Sequence, residues 1–312
     1  MNLILKNLYE LLSSKLPDSS FSLDEPLKEH AYTKLGGPAD LYAEAACPED
    51  AAYILKKAKR HGVPVTLIGN GSNIIIRDGG IRGLVLSLSK MNKISVTGST
   101  VIAEAGSRII DVSRKALEHS LSGLEFACGI PGTTGGALYM NAGAYGGQIS
   151  DVLQKTLVLT EEGSILELGQ EELVLSYRKS IIAEKKFIVL KAKFNLSIDC
   201  QENISARMKE NTEARESKQP LEFPSCGSVF KRPPGHYAGK LIQDSGLQGK
   251  NIGGAEVSRK HAGFIINKDN CTAKDYLALI EYVRETVKEK QGVDLETEVI
   301  ILGEEFYEGH HA

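Results

Sequence analysis

Residues 224–233 read PSCGSVFKRP and set a thiol, two hydroxyls, a lysine and an arginine between prolines and a glycine. Such a set suits a cysteine nucleophile, a serine that attacks or donates a proton, or a cationic clamp for phosphate. Cys226 has no histidine beside it in the sequence to activate it, which leaves a partner brought close by folding open. Ser228 does not sit in the G-x-S-x-G pattern of a nucleophile elbow. Lys218, Lys231, Arg232, Lys240 and Arg259 gather within forty-two residues and interleave with Gly, His and Tyr. That pattern fits a diphosphate-sugar site, and equally a solvated basic face.

Two further stretches are rich in glycine. GNGSN (69–73) follows the apolar run VTLI, where exposed amides can form an anion-binding concavity or simply a turn. It is neither a P-loop nor a G-x-G-x-x-G fingerprint. GLEFACGIPGTTGGALYMNAGAYGG (123–147) carries eight glycines. Each costs a helix or strand roughly 0.5–1 kcal/mol relative to alanine, so the stretch is expected to form neither. A large flat ligand lying on bare main chain would explain it. Two such loops suit a phosphate-bearing cofactor with an extended ring system, and flavin adenine dinucleotide (FAD) fits. Arg178 in YRKS and Glu298 in LETEV read, taken alone, as a surface ion-pair partner and a solvated strand-edge acid.

The elements that must position these residues follow from pattern. Leu5, Leu8, Leu12 and Leu16 recur at helical spacing. PEDAAYILKKAKRHG has proline and acids first, bases last and Gly62 at its end, as a helix requires. VPVTLIG, GLVLSL and TVIAEAG read as strands, with a helix between Ser107 and His119. Beyond FIVLKAKFNLS a charged helix, ENISARMKENTEARESK, ends at the prolines of QPLEFPS. Thr272 and Asp275 make a capping-box start for DYLALIEYVRETVKEKQ, Gly292 follows its end, and ETEVIILG reads as a strand.

The chain has 312 residues, 42% of them hydrophobic and 25% charged, which suits about two globular domains. A net charge of -3 gives no general pull toward nucleic acid or anionic membrane. No segment approaches the roughly 20 apolar residues of a membrane span, and the N-terminal helix lacks the layout of a secretory signal. Five scattered cysteines without a C-x-x-C pair indicate neither a disulfide framework nor a zinc site, and a reducing cytoplasm fits them. His310 and His311 read as a solvated tail, so no metal is expected.

Together these pieces resemble the UDP-N-acetylenolpyruvoylglucosamine reductase family in its shorter form. TKLGGPAD, GNGSN, IPGTTGGALYMNAGAYG, YRKS, KQPLEFPSCGSVFK, GKLI, KHAGFIIN and LETEV occur in that family's order between about His30 and Gly303. The resemblance implies an α+β fold: an FAD-binding domain of the type shared with p-cresol methylhydroxylase and vanillyl-alcohol oxidase, then an α+β substrate domain. The expected layout is a lead-in over 1–32, the FAD domain over 33–198 and the substrate domain over 199–312. The implied reaction is NADPH-dependent reduction of the enolpyruvyl ether to UDP-N-acetylmuramate in peptidoglycan synthesis, in the cytoplasm, by a monomer that binds neither nucleic acid nor membrane. The family's catalytic trio falls on Arg178, Ser228 and Glu298: enolate stabiliser, proton donor to C2, and an acid that must be protonated or bridged near an anionic substrate.

Non-covalent FAD is expected on Gly69, Asn70, Gly71, Ser72, Asn73, Gly129, Pro131, Gly132, Gly135, Gly136, Asn141 and Gly143. Lys218, Lys231 and Arg232 are expected to hold the substrate, with Cys226 a bystander. NADPH that only visits the cleft needs no Rossmann motif, which accounts for the missing fingerprint. Arg232 stands where many relatives carry asparagine, and the shorter form lacks the inserted loop whose tyrosine covers the substrate.

Overall fold

A computed structural model describes residues 3–306. His310 and His311 lie outside the described residues. The chain divides into two compact units, each discontinuous in sequence. One gathers residues up to Leu23, Asp40–Asn70 and Gly83–Arg215, and the other Asp24–Ala39, Gly71–Arg82 and the segment from Glu216 onward.

The first unit contains a five-stranded antiparallel sheet in the order Ile165–Gly169, Leu153–Leu159, Ile188–Asn195, Thr100–Glu104, Ile94–Thr97. Val189, Leu190, Ala192 and Phe194 of its middle strand are buried. Val65–Ile68 pairs in parallel with Ile81–Ser87, at one edge of a four-stranded sheet. The helix Pro48–Arg60 that leads into this pair starts on proline, carries Glu49 and Asp50 in its first turn, and buries Ala51, Ile54 and Ala58. The N-terminal helix, Leu3–Lys15, buries Leu5, Leu8 and Leu12 as its spacing requires.

In the second unit the helix Ala273–Gln291 packs on a three-stranded antiparallel sheet of Asn251–Ile252, Ala255–Val257 and Ile265–Asn267. Its start is held twice. Thr272 and Asp275 form the reciprocal capping box, and both oxygens of the Asp78 carboxylate accept amides, from Ala273 and Lys274, at 2.9 Å each. Gly292 ends the helix in the left-handed conformation, φ 69°. Segment 71–82 belongs with the C-terminal residues because Ile74–Ile76 pairs in parallel with Ile300–Leu302.

Two expectations need correction. Thr134–Tyr139 is a helix despite Gly135 and Gly136. Thr133 caps it by accepting the Gly136 amide, and Gly135 lets it lie close on the sheet, where a Cβ would stand 3.3 Å from Ala105. Packing against Ile188–Asn195 thus outweighs poor propensity. The strand expected over ETEVIILG is only Ile300–Leu302, because the chain changes partner. Glu296 and Glu298 exchange backbone hydrogen bonds with residues 229–231 before 300–302 turns to 74–76.

Candidate functional site

In the first unit Gly69 and Asn70, which open the shorter glycine stretch, meet the longer one. The Asn70 amide donates to the Pro131 carbonyl at 2.7 Å across 61 residues of sequence, and a Cβ on Gly69 would stand 2.8 Å from the Thr133 hydroxyl. The longer stretch is fastened from behind: Thr134 and Gly135 donate to Ser107 and Ala105 at 2.8 and 2.9 Å, and the Gly132 carbonyl accepts from Ile109. Gly69 and Asn70 thus lie directly against the Pro131–Thr133 segment, so bare main chain from both stretches is brought together there, which fits a cofactor that rests on both. Gly129 lies against the Arg215 side chain, and Gly143 pairs with Gln148 in a short hairpin.

Arg178 is half-buried at the second corner of a tight turn, closed by two Ser176–Lys179 backbone hydrogen bonds of 3.1 Å. Its φ of 57° belongs to the position that usually takes glycine in a type II turn. Such a conformation persists only where its surroundings enforce it, and it is typical of functional sites. Asn141, 1% exposed, supplies much of the enforcement. Its amide donates to the Ser176 carbonyl and to Gln148 Oε1, both at 3.2 Å, and its carbonyl oxygen accepts the Ser150 amide at 2.9 Å. The Ser180 hydroxyl adds a bond to the Tyr139 carbonyl at 2.5 Å. Asn141, one of the residues expected on the cofactor, has a side chain that ties the Arg178 turn to the glycine stretch. No local pattern announces that role, since the partners lie 7 to 35 residues away.

In the second unit Ser228 is exposed and Glu298 half-buried. Ser228 forms an antiparallel bridge with Phe264, while the next residue, Val229, donates to Gly263 at 3.0 Å and accepts from the Glu298 amide at 2.8 Å. On the other side of Glu298, the Asn73 amide donates to its backbone carbonyl at 3.3 Å. Ser228, Glu298 and Asn73, far apart in sequence, are thus carried by neighbouring backbone segments. Gly71 accepts the Tyr32 amide at 3.1 Å, and Ser72 is half-buried.

Lys231 is ion-paired with Glu296, Arg232 stacks 4.0 Å from the centre of the Tyr237 ring, and Lys218 is exposed at the end of Gln201–Lys218. Cys226 is 2% exposed and burial pushes its thiol up to about 11, so it stays protonated and out of reach of a substrate. That removes the cysteine nucleophile. Sequence reasoning gave His261 no role. Burial lowers its pKa below the ordinary value, and its Nδ1 accepts the Gly263 amide at 3.1 Å, so near neutral pH it carries a proton on Nε2.

The chain is 58% identical over 94% of its length to the UDP-N-acetylenolpyruvoylglucosamine reductase of Shouchella clausii, and covers 94% of that protein. It is 55% identical to the enzyme of that name from Staphylococcus aureus, over 97% of this chain and 98% of the other. The chain belongs to the UDP-N-acetylenolpyruvoylglucosamine reductase family. Residues 39–169 match the family model of an FAD binding domain, and 219–302 that of the C-terminal domain of this reductase family. The crystal structure of the reductase from Thermus caldophilus aligns over 91% of this chain and 99% of its own, with a TM-score of 0.78 and 31% identity. The FAD model thus spans the two joined glycine stretches, and the reductase model spans Ser228 and Glu298. Among the described residues no helix is long and apolar enough to cross a membrane.

Proposed function

We propose that this chain reduces the enolpyruvyl group of UDP-N-acetylenolpyruvoylglucosamine to give UDP-N-acetylmuramate, with FAD as cofactor and NADPH as reductant. When bound, FAD would supply the hydride chemistry that links NADPH to the enolpyruvyl group. The protein's own residues must do three things. Arg178 balances the negative charge that moves through C2 into the substrate carboxylate, a role in which a pre-oriented cation is most effective because it need not reorganise. Ser228 gives its hydroxyl proton to C2. Glu298 fixes the reacting group beside Ser228 and acts as a hydrogen-bond donor or through a bridging cation. Lys231, Arg232 and Lys218 attract the UDP diphosphate, for which Lys231 must exchange its contact with Glu296.

The observation that carries the division of roles is the backbone coupling of Ser228 and Glu298 through Val229. That bond sets the backbone of Glu298 beside that of Val229, next to Ser228, which supports reading the two as a proton donor and its companion acid. The five free thiols suit a reducing cytoplasm, with a single chain as the working unit.

Half-reaction kinetics test the reading. Ser228→Ala is expected to leave bleaching of the flavin by NADPH unchanged while slowing recovery of colour with the UDP-sugar by roughly 100-fold or more, the usual worth of a positioned acid. Equal losses in both halves would remove Ser228 from proton transfer. Protein that stays colourless after reconstitution with FAD would remove the whole reading.

A further inference from the structure

The reduction as described makes no use of two buried groups in the second unit, the Cys226 thiol and the Tyr276 phenol. Tyr276 is fully buried on the helix Ala273–Gln291 and donates its hydroxyl to the Ile265 carbonyl at 2.5 Å. Cys226 Sγ lies 3.2 Å from the same phenol oxygen. A phenol has one proton, and here it is committed to Ile265, so the thiol must be the donor to Tyr276. The result is a directional relay, S–H to O–H to backbone carbonyl, spanning 50 residues of sequence in its first step.

The relay ends where Ser228 is anchored. Phe264 bridges Ser228, and Gly263 accepts the Val229 amide. The residue after Phe264 is Ile265, the acceptor of the relay. Both arms of the turn at Gly227 are therefore tied to the same three residues, 263–265, one arm by backbone and the other by the thiol and phenol. The turn residue has a φ of 78°, and a Cβ on it would meet nothing within 4 Å, so contact at that position does not hold the turn.

We propose that Cys226 and Tyr276 are positioning residues that fix the Gly227 turn and so aim the Ser228 hydroxyl at the carbon it protonates. This rests on the reading of Ser228 as proton donor. A displacement of about 1 Å in a reacting group can cost on the order of 100-fold in rate, so a relay that touches no substrate can still govern the chemical step.

The test uses the flavin-loaded enzyme with Tyr276→Phe, Cys226→Ala and Cys226→Ser, run beside Ser228→Ala. Tyr276→Phe and Cys226→Ala are expected to keep the parent rate of bleaching by NADPH and to slow recovery with the UDP-sugar by about 10- to 100-fold. Cys226→Ser keeps a donor and is expected to remain near the parent. Independently of turnover, the Val229 amide should exchange with deuterium faster in Tyr276→Phe and Cys226→Ala than in Cys226→Ser. Parent rates in both half-reactions with unchanged exchange would overturn the proposal, as would a lowered melting temperature alone. Should Tyr276→Phe fail to fold, Cys226→Ala decides by the same measures. If Ser228→Ala recovers at the parent rate, the proton-donor reading fails, and the exchange comparison still judges the relay.

Discussion

A Cβ on Gly147, in the first unit, would stand 2.8 Å from the Phe126 ring, whereas one on Gly227, in the second, would meet nothing within 4 Å although its backbone sits at φ 78°. One glycine is demanded by close approach and the other by a dihedral angle. Within the glycine-rich stretch 123–147, Gly147 is needed because the Phe126 ring packs on it. The turn at 227 leaves the Cβ direction of Gly227 clear, while the Cys226 thiol beside it meets the Tyr276 phenol at 3.2 Å.

Gly147→Ala should have the larger effect, overpacking Phe126 at a cost of about 1–3 kcal/mol, read as a lower denaturation midpoint with reduced flavin retention. Gly227→Ala should cost about 1–2 kcal/mol from left-handed backbone alone, with flavin retained and recovery with the UDP-sugar slowed. If Gly227→Ala proved the more destabilising of the two and shed its flavin, the contrast between packed and open glycine would fail.

The smallest effect distinguishes two long helices. Ala273–Gln291 is held by buried Tyr276, Leu279, Ile280, Val283 and Val287, whereas Gln201–Lys218 buries only Ile204. The charged helix is kept by Arg207, which bonds Glu125 at 2.7 Å and Asp199 at 2.6 Å, and by Asn211, which bonds the Glu125 carbonyl at 3.1 Å. Burial pushes the Glu125 carboxyl up, but Arg207, the backbone amides of Glu125 itself and Gly123, and the Ser122 hydroxyl together hold it below the ordinary value. A carboxylate with a depressed folded pKa contributes stability above its unfolded value, and that contribution is lost as pH falls through the folded value. Acid loss of this helix contact should therefore begin below about pH 4. Arg207→Ala removes the lowering partner and should move the onset upward, as followed by helix content during an acid titration. An unchanged onset would show that the contact is not what secures the helix.

Much of this organisation was legible in the residues. The capping box at Thr272 and Asp275, the closing Gly292, and the acid-to-base gradient of Pro48–Arg60 are local, and local chemistry reads directly. The short helix Thr134–Tyr139 was not legible, because it packs on the strand Ile188–Asn195, far downstream in the chain. Nor was the late start of the last strand, at Ile300 rather than Glu296, since which neighbour takes a backbone hydrogen bond depends on which segments fold beside it.

By itself the order of residue types determined where the helices Pro48–Arg60 and Ala273–Gln291 begin and end, which stretches carry glycine, and which family the motifs resemble, because each depends on neighbours a few positions apart. Tertiary structure decided what those residues do to one another. It turned Asn141 into the brace of the Arg178 turn, coupled Ser228 to Glu298 through Val229, and joined Cys226 to Tyr276. The physical reason is that hydrogen bonds act over about 3 Å of space whatever the distance along the chain, and only folding sets that space.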